Sequence, residues 1–333
     1  MTGRKVAWGV LSTAKIGRNA VNPAIQRSRN GTLLAVASRD EERAKRFAAD
    51  TGIPRHYGSY GDLLADPDVD ALYIPLPNSE HRPWSIRAAE AGKHVLCEKP
   101  LAVNAAECRE MEAAARANGT LLMEAFMYRF HPRIDRLAGM AQQGAVGALR
   151  VIRSAFTFRL RSLDNIRMVP ELGGGALLDV GCYCVNISRR LTGLEPLEAQ
   201  AWATYAATDV DSELTGMLRF PGDVISHFDC ALTSDRREMV EIAGTDASVS
   251  ADAVFVPGTD AVQMLERRDG KEASHAMDGA DEYQLMVEHF ADCALGGTAP
   301  RWPVADAIAN AAAMDALLRS ARAGGAPMPV ERL

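Results

Sequence analysis

The segment Gly92-Lys93-His94-Val95-Leu96-Cys97-Glu98-Lys99-Pro100 contains the clearest signal of fold in the chain. A short apolar strand ends there in an acid, a base and a proline, and a helical pattern begins near residue 104. In an open α/β sheet, ligands bind at the carboxyl ends of the strands. We therefore expect Glu98 and Lys99 to face a binding crevice, although a solvated surface pair at a strand end would have the same sequence.

Strands and helices alternate on both sides of this segment. Such alternation, from residue 5 to about 125, predicts a doubly wound parallel sheet of the Rossmann type. The predicted strands of this half are 5–11, 33–37, 71–77, 95–97 and 121–124.

The pattern changes beyond Pro132. A helix to about Gln142 is followed by alternating strands at short spacing, which predict a largely antiparallel sheet with helices on one face. The predicted strands are 151–161, 199–206, 213–220, 224–232, 239–242 and 261–267, and the closing helices are 282–294 and 304–323. We expect a first domain of the dinucleotide-binding type at 1–125 and a second domain at 126–333.

Composition narrows the class of protein. The 333 residues are 47% hydrophobic and 24% charged, with a net charge of -6. These values suit a two-domain globular protein and give no basic surface for nucleic acid. We recognise neither a signal peptide nor a membrane span, and we expect a cytoplasmic protein. The six cysteines include a single close pair, Cys182 and Cys184, so we expect buried thiols and no metal site.

The first strand leads into a degenerate phosphate loop. Of the usual G-x-G-x-x-G only Gly9 and Gly17 remain, and small residues fill the turn between strand and helix. Backbone amides at such a helix start still favour a pyrophosphate. The predicted cofactor contacts here are Gly9, Ser12, Thr13, Ala14, Lys15 and Ile16.

The second strand ends in Ser38-Arg39-Asp40, where an NAD-binding fold would place an acid for the ribose hydroxyls. Arg39, with Arg43 one helical turn later, instead suits a 2′-phosphate through charge and fork geometry. Asp40 is better explained as the N-cap of the helix 41–49. We therefore predict NADP rather than NAD, with a solvated surface charge as the alternative for Arg39.

The strand at 71–77 ends in Leu76-Pro77-Asn78, and His81 follows in the first turn of a helix. We predict that these four residues contact the cofactor, together with Glu98 and Lys99. The alternatives are an N-cap for Asn78 and a surface position for His81.

The second polar segment lies in the second half. Gly173-Gly174-Gly175 opens an apolar helix on which Asp179 and Tyr183, four residues apart, share one face with Asn186. Polar groups on an otherwise apolar helix need partners. They are either part of a site or core residues with hydrogen-bond partners.

These two segments, in this order, resemble the Gfo/Idh/MocA oxidoreductases, and the likeness covers essentially the whole chain. The stretch 124–132 (Glu-Ala-Phe-Met-Tyr-Arg-Phe-His-Pro) and the tyrosine at 183 are similar to the branch of dihydrodiol dehydrogenase and NADP-dependent D-xylose dehydrogenase. The resemblance implies a Rossmann domain followed, at 126–333, by a substrate-binding and oligomerisation α/β domain with an open, largely antiparallel mixed sheet. The free face of that sheet often forms a dimer or tetramer interface. The resemblance also implies that Lys99, Asp179 and Tyr183 line the active site.

We accordingly predict an NADP-dependent oxidoreductase acting on a carbon of a sugar, keto-sugar or cyclic diol. Tyr183 would exchange the proton, Lys99 would assist it, and Asp179 would orient Lys99 or a substrate hydroxyl. The alternatives are an NAD-dependent oxidation–elimination glycosidase and a non-catalytic dinucleotide-binding regulator. The predicted substrate-side residues are Met127, Arg129, His131, Arg167, Asp179 and Tyr183, with surface ion pairing as the alternative for Arg129, His131 and Arg167.

Overall fold

A computed structural model describes residues 3–162 and 164–332. The chain forms two compact units. The first contains the residues up to Ala102, Ala106–Phe130 and Asp281–Ala307, and the second contains Val103–Ala105, His131–Ala280 and the residues from Ile308 onward.

The first unit is built on a parallel sheet of six strands in the order β3-β2-β1-β4-β5-β6. All five strand pairs are parallel, and the order is that of a Rossmann fold, which confirms the predicted doubly wound sheet. The strands are β1 Val6–Leu11, β2 Gly31–Ala37, β3 Arg55–Tyr57, β4 Ala71–Ile74, β5 His94–Glu98 and β6 Leu122–Ala125.

Helices cover this sheet. They are α1 Asn22–Arg27, α2 Glu41–Thr51, α3 Tyr60–Leu64, α4 Asn78–Glu90 and α5 Ala105–Ala117. The first of them is preceded by a π-helical turn, Gly17–Val21, where the sequence predicts a regular helix.

The second unit contains a mixed sheet of nine strands in the order β14-β13-β12-β11-β7-β10-β9-β8-β15. Within the part of the chain that the structure describes, only β7 and β10 of this sheet pair in parallel, so the predicted largely antiparallel mixed sheet is confirmed. The strands are β7 Leu149–Arg159, β8 Glu198–Tyr205, β9 Asp211–Arg219, β10 Ile225–Ala231, β11 Thr233–Gly244, β12 Ser248–Asp252, β13 Val262–Arg268, β14 Lys271–Met277 and β15 Met328–Pro329.

The remaining helices are α6 Pro132–Gln142, α7 Cys182–Thr192, α8 Glu282–Ala294 and α9 Val304–Arg322. Helix α7 lies on β7 and β10 and packs against α6, so it covers the middle of the nine-stranded sheet. It follows a second π-helical turn, Leu177–Gly181. None of the described helices combines the length and low charge that crossing a lipid bilayer requires.

Helix α8 returns to the first unit, although it follows the second sheet in sequence. The ring of Phe290 packs 4.8 Å from that of Trp8 on β1, and both side chains are fully buried. Apolar burial of two large aromatic rings fixes this helix against the Rossmann sheet. The division into a dinucleotide-binding and a substrate-binding domain remains a prediction. The two compact units do not divide the chain at one boundary near residue 125, because Asp281–Ala307 belongs to the first unit.

Four strands were not predicted, namely β3, β12, β14 and β15, and β11 is longer than its predicted core of 239–242. Strand β14 illustrates the reason. Its sequence, Lys-Glu-Ala-Ser-His-Ala-Met, has most positions exposed at the edge of the sheet, so it lacks the alternation of apolar and polar residues that marks a half-buried strand.

Candidate active site

The loops that follow β1, β4 and β5 meet at one edge of the first sheet, because neighbouring parallel strands end at the same edge. The hydroxyl of Ser12, after β1, donates to the carbonyl of Pro75, after β4, at 3.1 Å. The structure therefore brings together the predicted cofactor segments 12–16, 76–78 and 98–99. Their contacts with a cofactor remain predictions.

The turn after β1 is built on Ser12, whose φ of 128° lies in the region that favours glycine. Its hydroxyl accepts a hydrogen bond from the amide of Ala14 at 3.2 Å, which stabilises this conformation. Thr13 and Ala14 are partly accessible, and Lys15 and Ile16 are exposed at the helix start. A helix start with exposed residues fits a pyrophosphate.

Gly9 has a packing role in this structure. A Cβ at this position would lie 2.9 Å from the side chains of both Leu63 and Leu72. Packing inside the sheet therefore explains why this residue is glycine, and no ligand is needed to explain it. The contact of Gly9 with the cofactor stays a prediction.

The end of β2 carries a cationic cluster. Asp40 caps α2, as predicted, by accepting from the amide of Arg43 at 3.0 Å. Ser38 is buried and its amide donates to the carbonyl of Tyr57, whereas Arg39 and Arg43 are exposed. Two exposed guanidinium groups at this strand end fit an anionic phosphate.

Tyr60, which the sequence analysis missed, belongs to this cluster. Burial raises the pKa of its phenol, and the positive charges of Arg39 and Arg43 act in the opposite direction. Its ring packs edge-on against Trp84 at 4.9 Å. Tyr60 directly follows Ser59, the N-cap of α3, but a single aromatic residue after a cap has no pattern that indicates a ligand site.

The structure corrects both alternatives for the start of α4. Asn78 is the first residue of the helix, and the capping position belongs to Pro77 without a side-chain bond. His81 is 0% exposed instead of lying at the surface. Its Nδ1 lies 2.9 Å from the carbonyl oxygen of Pro100, and its Nε2 lies 2.9 Å from that of Leu76. Burial lowers the pKa of His81 to about 4.

Glu98 and Lys99 lie on an anchored turn. The hydroxyl of Tyr73, which is fully buried, donates to Glu98 Oε1 at 2.6 Å, and the amide of Lys99 approaches Glu98 Oε2 at 3.3 Å. Burial, reinforced by the Glu98 charge, holds the pKa of Tyr73 well above its usual value. The amide of Leu101 donates to Glu124 Oε1 at 3.0 Å. The backbone on both sides of Lys99 is therefore tied to carboxylates.

Three predicted substrate-side residues lie in the protein interior. Arg129 is 3% exposed and pairs with Glu124 at 2.7 Å and with Asp306, so the surface ion pair considered for it is not what the structure shows. His131 is fully buried and caps α6 through its Nδ1, and Met127 is 4% exposed. The sequence could not show that Arg129 and His131 are buried, because they lie just before α6 and at its cap, where polar residues are usually solvated.

In the second unit the structure brings Arg167 and Asp179 together. Arg167 Nε lies 2.5 Å from Asp179 Oδ2, with side chains that are 38% and 13% exposed. The loop that carries Arg167 folds back onto the glycine segment, where the amide of Gly175 donates to the Arg167 carbonyl at 2.9 Å. The arginine is therefore fixed beside the carboxylate, and part of it stays accessible.

Tyr183 lies in an aromatic cluster on α7. Its ring packs against Phe156 at 5.1 Å and Phe255 at 5.2 Å, and the residue is 4% exposed. Asn186, on the same helix, is buried and its amide donates to Asn310 at 3.4 Å. Of the two alternatives for this helix face, a core residue with a hydrogen-bond partner therefore applies to Asn186.

Asp211, on β9, is a second residue that the sequence analysis missed. Its Oδ2 accepts from the amide of Leu177 at 2.7 Å, at the start of the helical segment that carries Asp179 and Tyr183. Gly175 has a φ of 117°, and a Cβ there would lie 2.1 Å from Asp211 Oδ1. The third glycine thus makes room for this capping carboxylate. Burial raises the pKa of Asp211 to about 6.

Two family models match the chain. Residues 6–126 match the model described as "Oxidoreductase family, NAD-binding Rossmann fold", and residues 134–250 match the GFO/IDH/MocA C-terminal domain. The two matches fall on the parallel and the mixed sheet respectively.

Similar proteins support the same grouping. The chain is 38% identical over 324 residues to D-xylose 1-dehydrogenase (NADP(+)) 2 of Haloferax volcanii, covering 96% of this chain and 98% of the relative. It is 37% identical over 265 residues to trans-1,2-dihydrobenzene-1,2-diol dehydrogenase of Mus musculus, covering 79% of each.

A solved structure is also similar throughout. The 3-ketoreductase KijD10 of Actinomadura kijaniata, in complex with NADP and TDP-benzene, superposes with a TM-score of 0.90 at 29% identity, covering 95% of this chain and 98% of that one. Sequence similarity and the two sheet topologies agree over nearly the full length. The chain therefore belongs to the Gfo/Idh/MocA family of oxidoreductases.

Proposed function

We propose that the protein is an NADP-dependent dehydrogenase or reductase acting on a CH–OH carbon of a sugar, keto-sugar or cyclic diol. The observation that carries this proposal is the anchored Glu98–Lys99 turn at the ligand-binding edge of a Rossmann sheet. The names of the relatives, a D-xylose dehydrogenase, a dihydrobenzenediol dehydrogenase and a 3-ketoreductase, support the reaction class.

NADP supplies the hydride chemistry, and this chain must bind it and move one proton. The amides after β1, at positions 13–16, would hold the pyrophosphate. Ser38, Arg39 and Arg43 would hold the 2′-phosphate, with the hydroxyl of Tyr60 beside them. Leu76, Pro77, Asn78 and Glu98 would line the nicotinamide end, because they follow the neighbouring strands β4 and β5.

Tyr183 exchanges the proton in this proposal. A tyrosine has a reference pKa of about 10, so it is a poor base at neutral pH unless a cation stabilises the phenolate. Lys99 provides that charge, and each unit by which it lowers the pKa is worth about 1.4 kcal/mol. Tyr183 then acts as a general base during oxidation and as a general acid during reduction.

Asp179 and Arg167 bind the substrate in this proposal. The ion pair with Arg167 orients the Asp179 carboxylate, which suits a group that accepts a hydrogen bond from a substrate hydroxyl. The exposed part of Arg167 offers further donors. A site with several fixed polar groups rejects analogues that lack a hydroxyl, which favours a polyhydroxylated substrate.

The test is NADPH absorbance with aldoses, keto-sugars and cyclic diols, each with NADP and with NAD, for the wild type and Tyr183→Phe. We expect turnover of one substrate class with NADP, and a loss of roughly 10²–10⁴ in kcat for Tyr183→Phe with unchanged NADP binding. Tyr205→Phe is the matched control, because the Tyr205 hydroxyl is buried in the second unit and has no hydrogen-bond partner among the described residues.

Three outcomes would contradict the proposal. Wild-type turnover in Tyr183→Phe would exclude the proton-transfer role. A cofactor that survives gel filtration, with a glycoside cleaved and no net NADPH change, would favour the oxidation–elimination reaction. NADP binding without turnover of any substrate would favour a dinucleotide-binding regulator.

We also propose self-association as a homodimer or homotetramer through the nine-stranded sheet. Trp202 on β8 is 50% exposed and Met217 on β9 is 37% exposed, so apolar side chains are accessible on this sheet. The molar mass from light scattering tests it. We also propose a cytoplasmic location, because the described residues include all six cysteines and show no disulfide bond between them.

A further inference from the structure

We propose that His81 is a positioning residue for Lys99, and that it acts from the interior by joining the loop after β4 to the turn after β5. This inference rests on the proposed function, since it assigns a residue that acts through Lys99. It replaces the direct cofactor contact that the sequence predicts for His81.

The imidazole of His81 lies in the interior between two backbone carbonyl groups. His81 is 0% exposed, so it has no surface to offer a cofactor. One ring nitrogen faces the carbonyl of Leu76 and the other that of Pro100, each at 2.9 Å. Leu76 follows β4 and Pro100 directly follows Lys99. The His81 side chain therefore lies between the two loops that follow β4 and β5 at the carboxyl ends of the strands.

The chemistry of the ring explains why the residue is a histidine. Both neighbours are carbonyl oxygens, which only accept, so each ring nitrogen needs a hydrogen to form a bond. A neutral imidazole has a single N–H. Burial, with a smaller contribution from the charge of Lys99, lowers the pKa to about 4, so the ring is neutral at pH 7. One N–H therefore serves one of the two carbonyls, and in the Nδ1–H tautomer it donates to Pro100 and joins α4 to the turn that carries Lys99.

The opposite side of the turn is held independently. The amide of Leu101 donates to Glu124, whose other oxygen pairs with Arg129. Glu124 thus fixes the peptide after Pro100 to β6, and His81 fixes the carbonyl of Pro100 to α4. Removing His81 loses this tie to α4, while the ties of Glu98 to Tyr73 and of Leu101 to Glu124 remain. Lys99 is then displaced while the strands beneath it are retained.

The experiment compares His81→Leu and His81→Gln with His94→Leu as the matched control. His94 begins β5, at the strand end opposite Lys99, and its Nδ1 accepts from the amide of Leu121 at 2.9 Å. We expect His81→Leu to lower kcat by roughly 10–100-fold, because a displacement of about 1 Å at a catalytic group costs about this much. The substrate KM and the NADP Kd should stay within about twofold of wild type.

Two further readouts separate positioning from a loss of fold. His81→Gln restores an N–H donor and should recover most of kcat. The deuterium isotope effect on kcat should rise in His81→Leu, because hydride transfer becomes rate-limiting, and it should not change in His94→Leu. If His81→Leu does not fold, His81→Gln decides the question: a folded variant with near-wild-type kcat supports the role, and a folded variant as inactive as Lys99→Ala overturns it.

The outcomes distinguish this inference from the proposed function. Wild-type turnover in both Lys99→Ala and Tyr183→Phe would refute the proposed function. Loss of turnover in those two variants, with equal kcat and equal isotope effects in His81→Leu and His94→Leu, would refute only the role of His81.

Discussion

Replacing Arg39 with alanine tests the cofactor preference most directly. Arg39 is exposed at the end of β2, and Arg43 lies one turn along α2 beside the same phenol of Tyr60. A charge-assisted hydrogen bond contributes roughly 1.5–3 kcal/mol, which corresponds to about 10–150-fold in affinity. Because salt screens an exposed guanidinium and Arg43 remains, we expect the lower part of that range.

The assay is the initial rate over a concentration series of NADP and, separately, of NAD. We expect Arg39→Ala to raise the KM for NADP by roughly 10–30-fold and to leave the KM for NAD within about twofold. Arg46→Ala is the matched control, since Arg46 is also exposed on α2. Raised ionic strength should weaken NADP binding more in the wild type than in Arg39→Ala. Equal losses with both cofactors would refute the reasoning.

Two further predictions concern stability. Arg129→Met should lower the free energy of unfolding by about 3–5 kcal/mol, because it leaves Glu124 and Asp306 without their buried partner; an unchanged melting temperature would contradict this. Asp211 has a folded pKa of about 6, above its unfolded value of 3.8, so the folded state binds its proton more tightly and stability falls as pH rises from about 4 to 6. Asp211→Asn should remove up to about 3 kcal/mol of that pH dependence, measured by denaturant titration from pH 4 to 7, and an identical pH profile would contradict it.

The sequence predicts best the strands in which successive residues are all buried. Val95-Leu96-Cys97 is apolar throughout because β5 lies inside a parallel sheet, with neighbours on both sides, and such a strand needs no partner to be recognised. The charges that end it are equally local. The family resemblance then placed the second sheet as a mixed one, as the structure shows.

Residues whose environment is made by distant segments could not be predicted. His81 is buried because its ring meets the carbonyl of residue 100, and Arg129 is buried because Asp306 returns to it from far along the chain. A residue in the first turn of a helix and an arginine just ahead of a helix are usually solvated. The local sequence therefore predicts the wrong environment for His81 and for Arg129. The capping carboxylate of Asp211 is hidden for the same reason, since it acts on a helix more than thirty positions away.

The π-helical turn Leu177–Gly181 constrains which changes the second unit can accept. A π-helical turn holds about one residue more than a regular turn, and each residue of an α-helix advances the side chains by about 100°. Losing one residue within this turn would leave a regular turn, and Tyr183 would keep its orientation relative to the capped end. An added residue has no such room and would rotate Tyr183 by about 100°. The segment therefore accepts the loss of a residue more readily than the gain of one.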